Sequence, residues 1–236
     1  MSTASKGLLD SALEKMALAV ASEHVGGGSI IGLGSGSTVA RFATALGKRN
    51  KVEHLGITIV PSSMQAWILA KENGLELYQD SAHCPEKIDV AVDGADQISK
   101  SSRAMVKGGG GALFKEKIIL SSAAEAYILA DEGKYVDLLN RSIPVEVSQF
   151  AVSSAEYKLR SELGANPLMR KLDKGYPFFT ESGNVILDCQ FPKPISDPVS
   201  LERSIKLIPG VIEAGVFNCR VTRFYKAGLD GEFGHF

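Results

Sequence analysis

Between Ser29 and Asp131, short apolar runs alternate with helix-patterned segments, and no other feature of the chain limits its fold as much. Apolar runs of four to eight residues, rich in Ile and Val, suit buried strands, and the longer segments between them carry a helical period. "GGGSIIGLGSGSTVARF" reads as a strand at Ser29–Leu33, a glycine turn and a helix from about Thr38 to Leu46. "GITIVPSS" reads as a second buried strand, "MQAWILAKENG" as a helix closed by Gly74, and "LELYQ" as a short strand. "KIDVAVDGADQI" follows as a strand with an acidic turn, then a helix at Leu113–Ser121 and the strand "AYILAD". An amphipathic helix from Leu8 to Val25 precedes them, with Leu9, Leu13, Met16 and Val20 on one face. Strands alternating with helices predict an α/β fold with a doubly wound, mostly parallel sheet.

From Ile143 the rhythm changes. "IPVEVS" reads as a strand, Ser153–Leu163 as a helix, and "PLMRKL" and "NVILDCQF" as strands joined through the turn-rich "ESGN". "SDPVSLERSIKL" reads as a helix with Asp197 as N-cap and Pro198 at its first position, and "GVIEAGVF" as a last strand. That β-α-β-β-α-β order is the split βαβ motif of a smaller α+β domain. The expected division is residues 1–143 plus 219–236 for the first domain and 144–218 for the second, with "CRVTRFYKA" returning to the first sheet.

At 236 residues the chain is long enough for this pair. A formal net charge of −1 points away from nucleic acid and anionic membrane as partners, since both favour a basic surface. Cys84, Cys189 and Cys219 form no CxxC pair, and the four histidines show no metal-ligand spacing, so the cysteines read as core residues in a reducing compartment. The chain has no run near the ~18 apolar residues of a membrane span. With acids at Asp10, Glu14 and Glu23, the expectation is a cytoplasmic protein.

Ligands of open α/β sheets bind beyond the carboxyl ends of the strands, and three strand ends here carry unusual residues. In "GLGSGST" the glycines let backbone amides approach an anion while Ser35, Ser37 and Thr38 add hydroxyls at a helix start; a tight structural turn explains the loop equally well. It lacks the third glycine of a dinucleotide fingerprint and the G-K-[ST] of a Walker loop. In "VDGADQ", Asp93 and Asp96 can move hydroxyl protons, join a metal site or simply cap the next helix, a reading that suits Asp96 better than Asp93 at the strand terminus. In "MVKGGGGALFKEKI" four glycines follow Lys107, a candidate partner for a phosphate or oxyanion. Each glycine costs roughly 0.5–1 kcal/mol relative to alanine in regular structure, so four together imply a backbone bent tightly against something. Glu116, near the start of the following helix, is either a reactive carboxylate or a first-turn acid favoured by the helix dipole.

The motifs "GLGSGST", "VDGADQ", "KGGGGALFKEKI" and "ADEGK", in this order, closely resemble ribose-5-phosphate isomerase of the A type, across roughly residues 8–218. The resemblance implies a Rossmann-like domain with a smaller ferredoxin-like one. It implies interconversion of D-ribose 5-phosphate and D-ribulose 5-phosphate in the non-oxidative pentose phosphate pathway, through an enediolate, with no cofactor and no metal. It also implies a homodimer or homotetramer whose only other partner is a small sugar phosphate. Carried onto this chain, Glu116 would be the general base, Asp93 and Asp96 would assist ring opening, and Lys107 with the amides of Gly108, Gly109 and Gly110 would steady the enediolate. Ser35, Gly36, Ser37 and Thr38 would contact substrate, as would Gly94 and Ala95 between the two aspartates, and Lys134 of "DEGK". Three departures stand out: Ser35 where many members have threonine, Gln97 where glutamate is common, and "DEGK" for the more usual Asp-x-Ser-Lys. The loss of a negative charge at Gln97 is expected to alter substrate affinity.

Rival readings are a sugar-phosphate sensor, a CoA transferase using Glu116 as nucleophile, and a nicotinamide oxidoreductase. About 28 residues before the first strand leave little room for the DNA-binding module of a repressor, and the incomplete glycine fingerprint disfavours the last.

Overall fold

A computed structural model describes residues 3–79 and 83–236, with side chains from residue 5. The chain runs α1 (Thr3–Glu23), β1 (Ile30–Leu33), α2 (Ser37–Glu53), β2 (Thr58–Pro61), α3 (Met64–Glu72), β3 (Glu76–Leu77) and β4 (Ile88–Asp93). It continues through β5 (Gln97–Ser99), β6 (Met105–Val106), α4 (Leu113–Ser122), β7 (Ala123–Asp131), β8 (Tyr135–Val136) and β9 (Ile143–Val147). It ends with α5 (Val152–Ser161), β10 (Asn166–Met169), β11 (Val185–Gln190), α6 (Pro198–Lys206), β12 (Val211–Ala214), β13 (Val216–Phe217), β14 (Arg223–Ala227) and β15 (Phe233–His235).

Two compact units form: residues 1–95, 115–134 and 219–236 in one, 96–114 and 135–218 in the other. The sequence pattern had placed 96–114 and 135–143 with the first unit; their short strands β5, β6 and β8 instead join β13 of the second.

In the first unit a seven-stranded sheet has the order β15-β14-β7-β4-β1-β2-β3. All neighbours are parallel except β14 and the edge strand β15. From β1 the chain steps outward through β2 and β3, then returns to build β4, β7 and β14 on the other side. The reversal lies between β1 and β4, the place where ligand sites form in such sheets. Ile31, Leu33, Val90, Val92 and Leu129 point to one face and form a core with Met16, Ala17 and Val20 of α1 and Phe42 and Leu46 of α2. On the opposite face Gly32 and Ala91 lie under Ile119 of α4, so the sheet is covered on both sides, as the strand–helix alternation predicts. The tail returns as expected, β14 pairing parallel to β7.

Helix α2 runs seven residues past the expected end at Leu46. Gly47, directly after that expected end, is buried within the helix, where a Cβ would lie 2.4 Å from the Asn73 carbonyl oxygen after α3. Its role is close helix contact, and the helix stops instead at left-handed His54, φ 53°.

In the second unit β9, α5, β10, β11, α6 and β12 follow the expected order and form an antiparallel sheet, β10-β11-β9-β12, the ferredoxin-like arrangement. Val145, Val147 and Leu187 pack with Ala155, Leu159 and Ile205 of its helices. Asp197 caps α6 by accepting the Ser200 N–H at 2.9 Å, with Pro198 at the first position, as the sequence predicts. "GVIEAGVF" is not one strand: it breaks at Gly215 into β12 and β13, and β13 enters a second sheet, β13-β6-β5-β8. A Cβ at Gly215 would lie 2.5 Å from the Lys107 carbonyl and 2.7 Å from that of Pro144, so only glycine lets the chain pass between these backbones.

Candidate active site

In the first unit the sequence-predicted residues collect at the carboxyl ends of the three adjacent strands β1, β4 and β7. The loop after β1 crosses directly above the end of β4. A Cβ on Gly34 would lie 2.0 Å from Asp93 Oδ1 and 2.7 Å from Asp93 Cβ, so this glycine exists to let the aspartate in. Asp93 is only 3% exposed, and its Oδ1 accepts the Gly94 N–H at 2.7 Å and, more weakly, the Ser35 N–H at 3.4 Å. A carboxylate so buried must be held by donors of this kind.

Ser35 also reaches the helix beyond. Its hydroxyl donates to Oε1 of Glu116 at 2.8 Å, and Glu116 is 4% exposed in the first turn of α4. A first-turn acid on a solvated helix face would be exposed, so the helix-dipole explanation alone does not describe this residue. Three of the readings therefore converge on one cluster: the glycine loop, the strand-end aspartate and the helix glutamate. Gly36, φ 93°, begins α2, whose first two residues are the exposed Ser37 and the half-buried Thr38; the Gly36 N–H donates to Gln65 Oε1 at 3.3 Å. Half-buried Lys134 ends the short turn after β7, in which the Gly133 N–H donates to Asp131 Oδ1 at 3.0 Å and Glu132 accepts from the Leu229 N–H at 3.2 Å.

In the second unit lie Asp96, Lys107 and the glycine run. Asp96 Oδ2 accepts the Gly109 N–H at 2.8 Å, which commits that amide to the aspartate. Gly108, φ 102°, and Gly111, φ 85°, take backbone conformations that favour glycine, and the Gly111 N–H closes the turn onto the Gly108 carbonyl at 3.0 Å. Lys107 is 3% exposed; its N–H donates to the Gly215 carbonyl at 2.9 Å, and its ammonium lies 5.7 Å from the centre of the Phe217 ring. Gln97 is tied to the 140–141 turn: its amide donates to Asn140 Oδ1 at 2.7 Å and its carbonyl accepts from the backbone of Asn140 and Arg141. A glutamate cannot make the first of those bonds, so the departure at 97 has a structural use.

Two contributors were not legible in the sequence. Arg170, just after β10, donates from Nη1 to the carbonyls of Gly108 at 2.8 Å and Gly109 at 3.0 Å. Asp188 of β11 holds the same guanidinium through Nε at 2.9 Å and Nη2 at 2.6 Å. Both are separated from the glycines by more than 60 positions, and neither sits in a motif.

Among the described residues no group of three or more His, Cys, Asp and Glu side chains is placed to hold a metal ion. No helix among them is long and apolar enough to cross a membrane.

Residues 58–231 match the family model of ribose 5-phosphate isomerase A (phosphoriboisomerase A). The chain is 42% identical over 220 residues to ribose-5-phosphate isomerase A of Methanosarcina acetivorans, covering 92% of each chain. It is 38% identical over 221 residues to that of Thermoplasma acidophilum, covering 92% of this chain and 89% of the relative. Among solved structures, ribose 5-phosphate isomerase A of Methanocaldococcus jannaschii superposes with a TM-score of 0.87 at 33% identity, covering 98% of both chains. A D-ribose-5-phosphate isomerase in complex with phospho-erythronic acid superposes with a TM-score of 0.86 at 35% identity, covering 95% of this chain and 97% of the other.

Proposed function

Because the chain belongs to the ribose 5-phosphate isomerase A family, we propose that Glu116 is the base with which it interconverts D-ribose 5-phosphate and D-ribulose 5-phosphate. The observation that carries this assignment is the buried Glu116 carboxylate, held by the Ser35 hydroxyl at 2.8 Å beside the reversal point of the sheet. Starting from the aldose, the carboxylate takes the proton from C2 of the open-chain sugar. The C2 electron pair moves into the C1–C2 bond, and charge develops on the former aldehyde oxygen. A proton passes from the C2 hydroxyl to that oxygen, and Glu116 returns its own proton to C1. A carboxylate suits this cycle because the acid formed in the first half is the donor needed in the second, and a positioned base is worth ~10²–10⁴-fold.

Lys107 and the Gly110 amide stabilise the enediolate oxygen, where each well-placed donor contributes about 3–4 kcal/mol. Asp93 and Asp96 assist ring opening, in which the anomeric hydroxyl gives up a proton and the ring oxygen receives one as its bond to C1 breaks. Ser35, Gly36, Ser37, Thr38 and Lys134 contact the remainder of the sugar phosphate; the first turn of α2 is a fitting anion site because its amides lack helical partners. The reaction so described needs neither metal nor organic cofactor. The same reading makes the protein a cytoplasmic homodimer or homotetramer serving the non-oxidative pentose phosphate pathway, which light scattering and cell fractionation would check.

The test is steady-state kinetics of purified protein with ribose 5-phosphate, beside Glu116→Gln. The variant keeps an acceptor for Ser35 and loses the base, so kcat should fall ~10²–10⁴-fold with KM little changed. A variant within a few-fold of the parent would remove Glu116 from the mechanism.

A further inference from the structure

The four-glycine run raises a physical problem that the proposed chemistry leaves open. Donors that stabilise a transition state act well only if they are already aimed, because reorganising them during the reaction costs what they contribute. Glycine is the residue least able to aim itself: it has no side chain to pack and the widest choice of backbone angles. Gly109 and Gly110 are also exposed. Something outside the run must hold it.

Arg170 is placed to do so. Its Nη1 donates to two successive carbonyls, Gly108 and Gly109, at 2.8 and 3.0 Å. Peptide units are planar and trans, so a carbonyl pinned on one side sends the following N–H to the other. The Gly108 carbonyl shares its plane with the Gly109 N–H, which meets Asp96 Oδ2 at 2.8 Å. The Gly109 carbonyl shares its plane with the Gly110 N–H. One guanidinium thus sets both the hydrogen bond that orients Asp96 and the direction of the next amide. Its charge also polarises the two peptide units, which makes their N–H groups stronger donors.

The guanidinium is itself fixed. Asp188 takes Nε and Nη2 at 2.9 and 2.6 Å, a bidentate pair that leaves Nη1 for the carbonyls. Its central carbon lies 5.9 Å from the centre of the Phe178 ring, and that ring closes over Gly111, where a Cβ would lie 2.6 Å from it. A pair meant only to stabilise the sheet would have no need to reach the glycine run.

We propose that Arg170, held by Asp188, is a positioning residue of the isomerase: it fixes the peptide planes that orient Asp96 and present the Gly110 N–H to the enediolate oxygen. The proposal rests on the reading of the glycine run as the oxyanion-binding segment.

Arg170→Ala, Arg170→Lys and Asp188→Asn test it, through kinetics, thermal melting and binding of phospho-erythronic acid. Arg170→Ala should lower kcat on the order of 10²-fold, the scale expected when catalytic groups are displaced by about 1 Å. KM should change much less, since the loss falls on the transition state, whereas binding of phospho-erythronic acid, whose carboxylate brings negative charge to the enediolate donors, should weaken along with kcat. Arg170→Lys should recover only part of it, because an ammonium cannot serve the carboxylate and two carbonyls as a fork does. Guanidinium ion, added well below denaturing concentration, should restore part of kcat to Arg170→Ala and none to Glu116→Gln. Loss of kcat and melting temperature together, with KM raised and without rescue, would make Arg170 a structural residue and overturn the proposal. So would an Arg170→Ala enzyme with near-parental kcat. In either case an active parent enzyme and an inactive Glu116→Gln would leave the isomerase reading intact, whereas an inactive parent would strike that reading first.

Discussion

Gly34→Ala adds one methyl group where the loop after β1 crosses Asp93 at the end of β4, and the size of its effect follows from the distances there. Gly34 has ordinary backbone angles, so alanine there is not strained by the chain itself. The added Cβ would lie 2.0 Å from Asp93 Oδ1, 2.1 Å from Cγ and 2.7 Å from Cβ. Rotating the aspartate side chain can remove the first two conflicts, at the loss of the 2.7 Å bond from the Gly94 N–H. No rotation moves Asp93 Cβ. Against the ~3.5–4.0 Å of a normal carbon contact, the ends of β1 and β4 must separate by about 0.8 Å. Overpacking of this kind costs ~1–3 kcal/mol, and a lost hydrogen bond to a buried charge adds a comparable amount, so about 3 kcal/mol is expected. The displaced carboxylate should also lower kcat about 10²-fold.

Urea denaturation of a double-mutant cycle with Asp93→Gly isolates the cause. In that background the obstructing atoms are gone. Gly34→Ala then acts chiefly on the unfolded chain, where replacing glycine at a compatible site stabilises by ~0.4–1 kcal/mol. The same substitution should thus be destabilising with Asp93 and neutral or stabilising without it. Equal destabilisation in both backgrounds would refute the argument that Gly34 is glycine because of Asp93.

Other expectations concern groups away from this contact. The His24 ring stacks on Tyr127 with centroids 4.1 Å apart and shares a 2.6 Å hydrogen bond with the Tyr225 hydroxyl. Burial first, then the Arg223 and His235 charges, hold its pKa below the usual value, against the opposing pull of Glu23 and Glu125. The fold therefore favours neutral His24: its contribution is present above the unfolded value of about 6.5 and lost as pH falls through the lower folded value. The melting temperature should drop on acidification below about pH 6.5, and His24→Gln should flatten that slope; a parent that melts higher in acid would contradict it. Dialysis against EDTA should leave isomerase activity unchanged, and recovery of lost activity by an added divalent ion would reopen the question of a metal.

Much of this protein is written locally. Buried parallel strands need continuous apolar runs, and covering helices need one apolar stripe, so "SIIGL", "DVAVD" and "AYILAD" declare their elements without help from elsewhere. The strand-end residues Ser35 and Asp93 were legible for the same reason, since polar groups and glycines directly after such runs have few structural uses; Glu116 was singled out by the glycine-rich stretch that precedes its helix. The split βαβ order of the second unit and the Asp197 cap were equally plain. Short strands such as β5, β6 and β8, of two or three residues each, show no periodicity and exist only because long-range partners pair with them.

The glycines divide along the same line. Their abundance in "GLGSG" and "KGGGG" announces tightly bent loops, but the reason for each one is set by what lies across from it. Gly34 faces Asp93, Gly32 faces Ile119, Gly47 faces Asn73, and Gly215 lies between two backbone carbonyls. Arg170 likewise carries no signal of its own, because hydrogen bonds to carbonyls more than 60 positions away leave no periodicity in the chain, and the same holds for Asp188, whose partner is that guanidinium. Sequence alone determined the longer elements and pointed to the residues proposed to hold the chemistry, since both follow from near neighbours and residue type. Tertiary structure alone decided which side chains aim those residues, since aim is set by close approach between segments distant along the chain.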